Sequence, residues 1–133
     1  MAALPKLVGS VDHLGRPVVR VAVVGRDDDV LATIDTGFNG ELMLAAGDAA
    51  AIGVKLLEDA EEVELGDRSA IAIKLGKLRL RWLDTERDVT VFVSPRKDPT
   101  REGSPVMLIG TRLLAPHLLL IDFAANTVEI ETQ

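Results

Sequence analysis

The chain has 133 residues, with no cysteine and only two histidines, His13 and His117. The absence of cysteine excludes disulfides, zinc–thiolate sites and thiol nucleophiles. His13 lies in a predicted turn and His117 follows a proline, so we expect the first to be solvated and the second to be structural. Because so few nitrogen and sulfur ligands are present, the sequence predicts neither a metal site nor a bound cofactor.

Long apolar runs and an excess of basic charge are also missing. Acidic residues outnumber basic ones by 21 to 15, which gives a formal net charge of −6. An acidic surface repels phosphates, so we expect no binding to nucleic acid or to anionic membranes. No run is long enough to span a bilayer, and the N-terminus lacks the apolar core of a signal peptide. These features predict a soluble cytoplasmic protein.

Short segments rich in β-branched or alternating apolar residues recur along the chain, separated by turn residues. Such segments predict strands. The predicted strands cover residues 17–24, 30–34, 62–65, 70–75, 78–82, 88–93, 118–123 and 127–131. The length fits one domain spanning residues 1–133, which is large enough to bury a core. The pattern predicts a mainly β protein, either a small barrel or a sandwich.

Helical signals are few. Residues 45–52 predict a short helix, with Asp48 as its capping residue. A second short helix is predicted to begin at Thr111 and to end before Pro116, since proline cannot continue a helix.

Three connections between the predicted strands stand out. Gly76-Lys77 predicts a turn, and residues 84–86 predict a loop. The polar segment 94–105 contains three prolines and is predicted to be the most flexible part of the chain.

The tripeptide Asp35-Thr36-Gly37 carries the strongest functional signal. It follows the apolar run 30–34, so a carboxylate is placed at the end of a buried strand. An ionised carboxylate beside apolar surface is costly unless it is paired or hydrogen-bonded, which makes Asp35 a candidate for chemistry. The same residues also suit an ordinary turn, in which an aspartate bonds its own backbone two residues on.

Two segments together resemble a known family. Residues 34–40 read Ile-Asp-Thr-Gly-Phe-Asn-Gly, and residues 108–114 read Leu-Ile-Gly-Thr-Arg-Leu-Leu. Their order resembles that of the retropepsin-like (clan AA) aspartic proteases, in which a hydrophobic-Asp-Thr/Ser-Gly motif precedes a hydrophobic-hydrophobic-Gly motif. The first segment is similar to that of the small single-domain prokaryotic members. The resemblance covers roughly residues 18–131 and implies a closed β-barrel of the acid protease fold with one or two short helices.

The resemblance implies an aspartic endopeptidase that is a homodimer. Catalysis in this family needs two aspartates, and this chain has one Asp-Thr-Gly, so a twofold-related copy would supply the second Asp35. Thr36 would bond across the twofold axis, and Gly37 would let the backbone pass close to the carboxylates. Ile109 and Gly110 would support the loop from beneath. The substrate would be an extended peptide or protein segment.

The resemblance also implies a substrate-binding surface. The hairpin at residues 63–73 would be the flap, with Gly66, Asp67 and Arg68 at its tip. Phe38 and Gly40 would contact the substrate from the loop of residues 35–40, called the active loop, although Phe38 fits a core position equally well. The predicted flap is not rich in glycine and the chain has no tyrosine, which distinguishes it from retroviral and pepsin-like flaps.

Two alternative functions follow from the same residues. A catalytically weak or inactive module could keep the fold for dimerisation or peptide binding, since folds host many functions. A single-chain hydrolase could instead pair Asp35 with another carboxylate of the same chain, such as Asp84 or Asp122.

Overall fold

The structure, a computed structural model, describes residues 4–64 and 70–132. Within these ranges the chain forms ten strands and two short helices. In chain order they are β1 (Lys6–Val11), β2 (Pro17–Val23), β3 (Val30–Ile34), β4 (Leu42–Ala45), α1 (Ala46–Ile52), β5 (Lys55–Glu64), β6 (Ala70–Trp82), β7 (Thr85–Ser94), β8 (Met107–Ile109), α2 (Thr111–Leu114), β9 (His117–Asp122) and β10 (Thr127–Thr132). The predicted flap tip, Gly66, Asp67 and Arg68, lies outside the described residues.

The strands form one sheet that closes on itself. Their order is β5-β6-β7-β4-β8-β3-β2-β1-β10-β9, and β6 also pairs with β2. The extra pairing closes β6, β7, β4, β8, β3 and β2 into a six-stranded barrel, and closure leaves these strands with few free edges. The prediction of a mainly β, closed barrel with two short helices is therefore confirmed.

Alternating side chains fill the barrel. Along β3 and β7, buried residues alternate with partly exposed ones, as expected for strands with one face in a core. Across the residues that the structure describes, the most enclosed large side chains come from six strands and α2; they include Leu42, Leu44, Leu80, Val91, Met107, Ile109 and Leu113. Among the described residues, neither helix has the length and apolar character needed to cross a bilayer.

The turn predicted at Gly76-Lys77 is wrong, because β6 runs unbroken through both residues. Gly76 pairs with Leu56 of β5 and with Val91 of β7. A Cβ at this position would lie 2.5 Å from Cγ1 of Val54. The glycine therefore marks a close approach of the preceding chain segment.

The loop predicted at residues 84–86 is shorter than expected. Leu83 and Asp84 both have positive φ, 49° and 66°, and alone connect β6 to β7. Two central residues of positive φ form a type I′ turn, whose twist matches that of a hairpin. Thr85 and Glu86 consequently belong to β7.

Asp48 does not cap α1. The N-cap is Ala45, which makes no side-chain bond, whereas Asp48 lies in the first turn and is buried. Its carboxylate accepts hydrogen bonds from the backbone N–H and the hydroxyl of Thr100. The 94–105 segment, predicted to be flexible, is thus bonded to α1 through a buried carboxylate.

Candidate active site

Asp35 follows β3 directly and continues its pairing with β8. Its N–H donates to the carbonyl of Ile109 over 2.9 Å, one step beyond the parallel pair formed by Ile34 and Ile109. The Asp35 carbonyl accepts from the N–H of Phe38 at 3.1 Å, which closes a turn. The backbone carrying this carboxylate is therefore fixed on both sides.

The Asp35 carboxylate is partly exposed. Its Oδ1 accepts the N–H of Gly37 at 3.0 Å, the local bond expected of an aspartate in a turn. The turn and the catalytic interpretation are thus compatible. A Cβ on Gly37 would lie 3.3 Å from the same oxygen and would crowd it. Thr36 and Gly37 are both exposed.

The start of α2 holds the rest of the active loop. Gly110 donates its N–H to the carbonyl of Glu41 at 3.0 Å. Thr111 donates to the carbonyl of Phe38 at 2.8 Å, and Arg112 donates to that of Gly40 at 3.2 Å. The first N–H groups of a helix have no partners inside it, so here the loop carbonyls satisfy them. The two sequence motifs are therefore joined backbone to backbone.

Two glycines make this contact possible. A Cβ on Gly110 would collide with the carbonyl oxygen of Gly40 and with the Phe38 ring. A Cβ on Gly40 would lie 2.5 Å from Cζ of Phe38. The Phe38 ring covers both glycines and packs edge-on against Phe92, with ring centroids 5.5 Å apart. Phe38, which is partly buried, thus packs the loop against a residue of β7.

Glu41 is a further residue of this region that the sequence did not reveal. It is 9% exposed, and its carboxylate accepts from Arg87 Nη2 at 2.8 Å and from the backbone N–H of Thr90 at 2.9 Å. Both partners are more than 45 residues away in sequence, so no local pattern could reveal them.

His117 has the structural role expected from the sequence. Nε1 of Trp82 donates to His117 Nε2 at 3.0 Å, so this nitrogen is unprotonated. Burial lowers the pKa of His117, and the positive charge of Arg87 lowers it further. His13, by contrast, is exposed in the turn before β2.

The alternative acids for a single-chain mechanism lie in turns. Asp84 is the second residue of the β6–β7 turn. Asp122 accepts the N–H of Ala125 in the β9–β10 turn. In the described part of the chain, the hydrogen bonds of the Asp35 and Asp122 carboxylates are to nearby backbone N–H groups and not to each other. No group of three or more His, Asp or Glu side chains placed to hold a metal ion occurs within residues 4–64 and 70–132.

The structure thus brings most of the predicted site together. The residues it joins in one bonded unit are Asp35, Gly37, Phe38, Gly40, Ile109 and Gly110. Thr36 is exposed beside Asp35. The strands of the predicted flap hairpin do pair, with Val63 opposite Ile71 and Glu64 opposite Ala70.

No family model and no curated protein sequence matches this chain. Its structure is similar to a retropepsin-like aspartic protease from Rickettsia conorii, with a TM-score of 0.66 and 15% sequence identity. That likeness covers 98% of this chain and 92% of the other.

A second solved structure is the protein Lpg0085 from Legionella pneumophila, described as of unknown function (DUF785). It has a TM-score of 0.46 and 15% identity, and it covers 74% of this chain and 83% of that one. A likeness at this level supports no inference about the present chain. The agreement with the Rickettsia conorii structure, together with the joined motifs, shows that this chain has the fold of a retropepsin-like aspartic protease.

Proposed function

We propose that this chain is an aspartic endopeptidase that acts as a homodimer, in which each copy supplies one Asp35. The observation that best supports the proposal is the active loop, whose backbone is fixed by hydrogen bonds. Asp35 is held at its backbone by Ile109 and Phe38, while its carboxylate is left partly exposed. A rigid loop that presents a single acid at the surface suits a site completed by a second molecule.

Two such carboxylates would share one proton. Like charges about 3 Å apart do not both ionise, so one acid stays protonated while the other is charged. The charged Asp35 would take a proton from a water molecule, whose oxygen attacks the carbonyl carbon of the peptide. The protonated Asp35 would donate a hydrogen bond to the carbonyl oxygen. Collapse of the tetrahedral intermediate would then break the C–N bond, and the initially protonated Asp35 would supply a proton to the leaving amine while its mate keeps the proton taken from water.

The substrate in this proposal is an extended peptide. The β5–β6 hairpin would close over it, and the peptide backbone would bond to the flanking strands as an added strand does. The exposed Thr36 would bond to its symmetry mate across the twofold axis and hold the two active loops together.

The test is cleavage of a mixture of fluorogenic extended peptides by the wild-type chain and by Asp35→Asn. The substitution keeps the shape of the side chain but removes the shared proton and the base. We expect cleavage by the wild type to be inhibited by a statine-type peptide. Cleavage by Asp35→Asn should fall by at least about a thousandfold, comparable to the loss of other essential catalytic groups.

Sedimentation of both proteins provides the control, since each should be a dimer at the assay concentration. Cleavage by Asp35→Asn at the wild-type rate would contradict the mechanism. A wild-type chain that stays monomeric at high micromolar concentration and cleaves nothing would favour the alternative of an inactive peptide-binding module.

A further inference from the structure

Two carboxylates are buried in the described part of the chain, and neither takes part in the proposed proton transfers. They are Glu41 and Asp48, which are 9% and 6% exposed. A buried charge is costly unless it is paired and hydrogen-bonded, so each of these positions needs a reason. Asp48 bonds α1 to the 94–105 segment, whereas Glu41 lies directly after the active loop.

Glu41 joins three parts of the barrel. Its carbonyl accepts the N–H of Gly110, where β8 passes into α2. Its carboxylate accepts from two groups of β7, the N–H of Thr90 and Nη2 of Arg87. The parallel ladder between β4 and β7 begins one residue later, where Leu42 pairs with Val91. The Glu41 carboxylate therefore accepts the N–H of Thr90 at the end of the β4–β7 pairing, where no strand residue does so.

These contacts fix the C-terminal end of the active loop, just as the bond from Asp35 to Ile109 fixes its start. The six residues from Asp35 to Gly40 are thus held by hydrogen bonds at both ends of the loop. The carboxylate also offsets the charge of Arg87, which is only partly exposed. Without that negative charge, Arg87 would move toward water, and the end of the loop would lose one of its two attachments to β7.

We propose that Glu41 is a positioning residue for Asp35, acting through the end of the active loop. This inference rests on the proposed aspartic protease function, because it assigns Glu41 a role in setting the geometry of the shared-proton pair. Two carboxylates that must meet across a twofold axis tolerate little displacement, since a misplacement of about 1 Å can lower a rate about a hundredfold.

Asp48 supplies a matched control. It is equally buried, it also accepts a backbone N–H at 2.9 Å, and it also has an arginine nearby, Arg96. Its bonds hold α1 and the segment around Thr100, away from the hydrogen bonds of the active loop. Glu41→Gln and Asp48→Asn each remove one buried charge and keep the shape of the side chain.

The experiment compares kcat and KM for the two variants, at a temperature at which both are folded. Glu41→Gln should lower kcat by about 10- to 100-fold and change KM by less than about twofold, because it alters geometry and not the binding surface. Asp48→Asn should leave kcat within about twofold of the wild type. Glu41→Asp, which restores the charge, should recover part of the lost kcat. If Asp48→Asn does not fold, Thr100→Val takes its place as the control.

A second readout does not depend on activity. Amide hydrogen exchange at Gly37 and Gly110 should become at least about tenfold faster in Glu41→Gln and stay near the wild-type rate in Asp48→Asn. If Glu41→Gln and Asp48→Asn had equal effects on kcat and on amide exchange, Glu41 would be only a general stabilising residue. That result would overturn the proposal. A wild-type chain without protease activity would instead refute the proposed function, and the exchange rates would still decide whether Glu41 holds the loop.

Discussion

The active loop and the 94–105 segment, which packs on α1, are held in place by three similar features. Each is held by a buried carboxylate: Glu41, directly after the active loop, and Asp48 of α1, which bonds to the 94–105 segment. Each has a helix-start glycine whose N–H donates to a loop carbonyl: Gly110 to Glu41, and Gly47 to Arg96. In each, a Cβ on that glycine would collide with loop backbone.

The two regions differ in what the anchored segment presents. The active loop carries Asp35, a partly exposed acid at its turn, whereas the segment near α1 carries no such acid, and Asp48 of α1 is used for internal bonds to Thr100. Both regions thus combine a buried carboxylate with a close glycine contact to hold a connection in place. The feature that points to function is the partly exposed carboxylate of Asp35 on a fixed loop. A substitution in one region can therefore serve as the control for the matching substitution in the other.

Among the substitutions that test this comparison, replacement of the two glycines should have the largest effect on stability. Gly110→Ala forces a methyl group against the Gly40 carbonyl and the Phe38 ring, and Gly47→Ala forces one against the Lys97 carbonyl. Overpacking of this kind costs about 1–3 kcal/mol, so both variants should have a lower free energy of unfolding in urea.

The two glycine variants should differ in the region that they disturb. Amide exchange should rise around residues 35–41 in Gly110→Ala and around residues 96–100 in Gly47→Ala. Only the first variant should lose protease activity beyond what its lower stability explains. Similar losses of activity in both would mean that the two regions are not independent.

A smaller effect on the free energy of unfolding should come from His117 at acid pH. Since burial and Arg87 hold the pKa of His117 below its ordinary value of 6.5, the unfolded chain binds this proton more readily than the folded one. The stabilising contribution of a neutral His117 is therefore complete above that ordinary value and is lost as the pH falls below it, until the folded-state pKa is passed.

The measurement is the free energy of unfolding as a function of pH for the wild type and for His117→Gln. The difference between the two curves should narrow as the pH falls below 6.5. A constant difference between the curves would show that His117 does not titrate in this way.

Much of the fold could be predicted from local pattern. Alternation and turn residues gave the correct position of β2, β3, α1, α2 and the β9–β10 hairpin. β1 was missed, because its residues alternate only weakly and its stability comes from pairing with β10, more than a hundred residues away. Gly9 of that strand has no room for a Cβ beside the Val18 carbonyl, which is a contact that only the folded structure reveals.

The site was predictable where it is encoded in motifs. Asp35 and Gly110 stand in contiguous segments whose order resembles a known family, so they could be identified without coordinates. Glu41 could not, because its significance lies in its bonds to Arg87 and Thr90 on a distant strand. The misassigned turn at Gly76 has the same origin: a glycine that local pattern assigns to a turn is needed in a strand for a tertiary contact.

The most direct test of the account is the distance between the two Asp35 carboxylates in a crystal structure of the dimer. The proposed mechanism predicts that they lie about 3 Å apart across a twofold axis, close enough to share one proton. A dimer that holds them far apart, with no other assembly that brings them together, would contradict it.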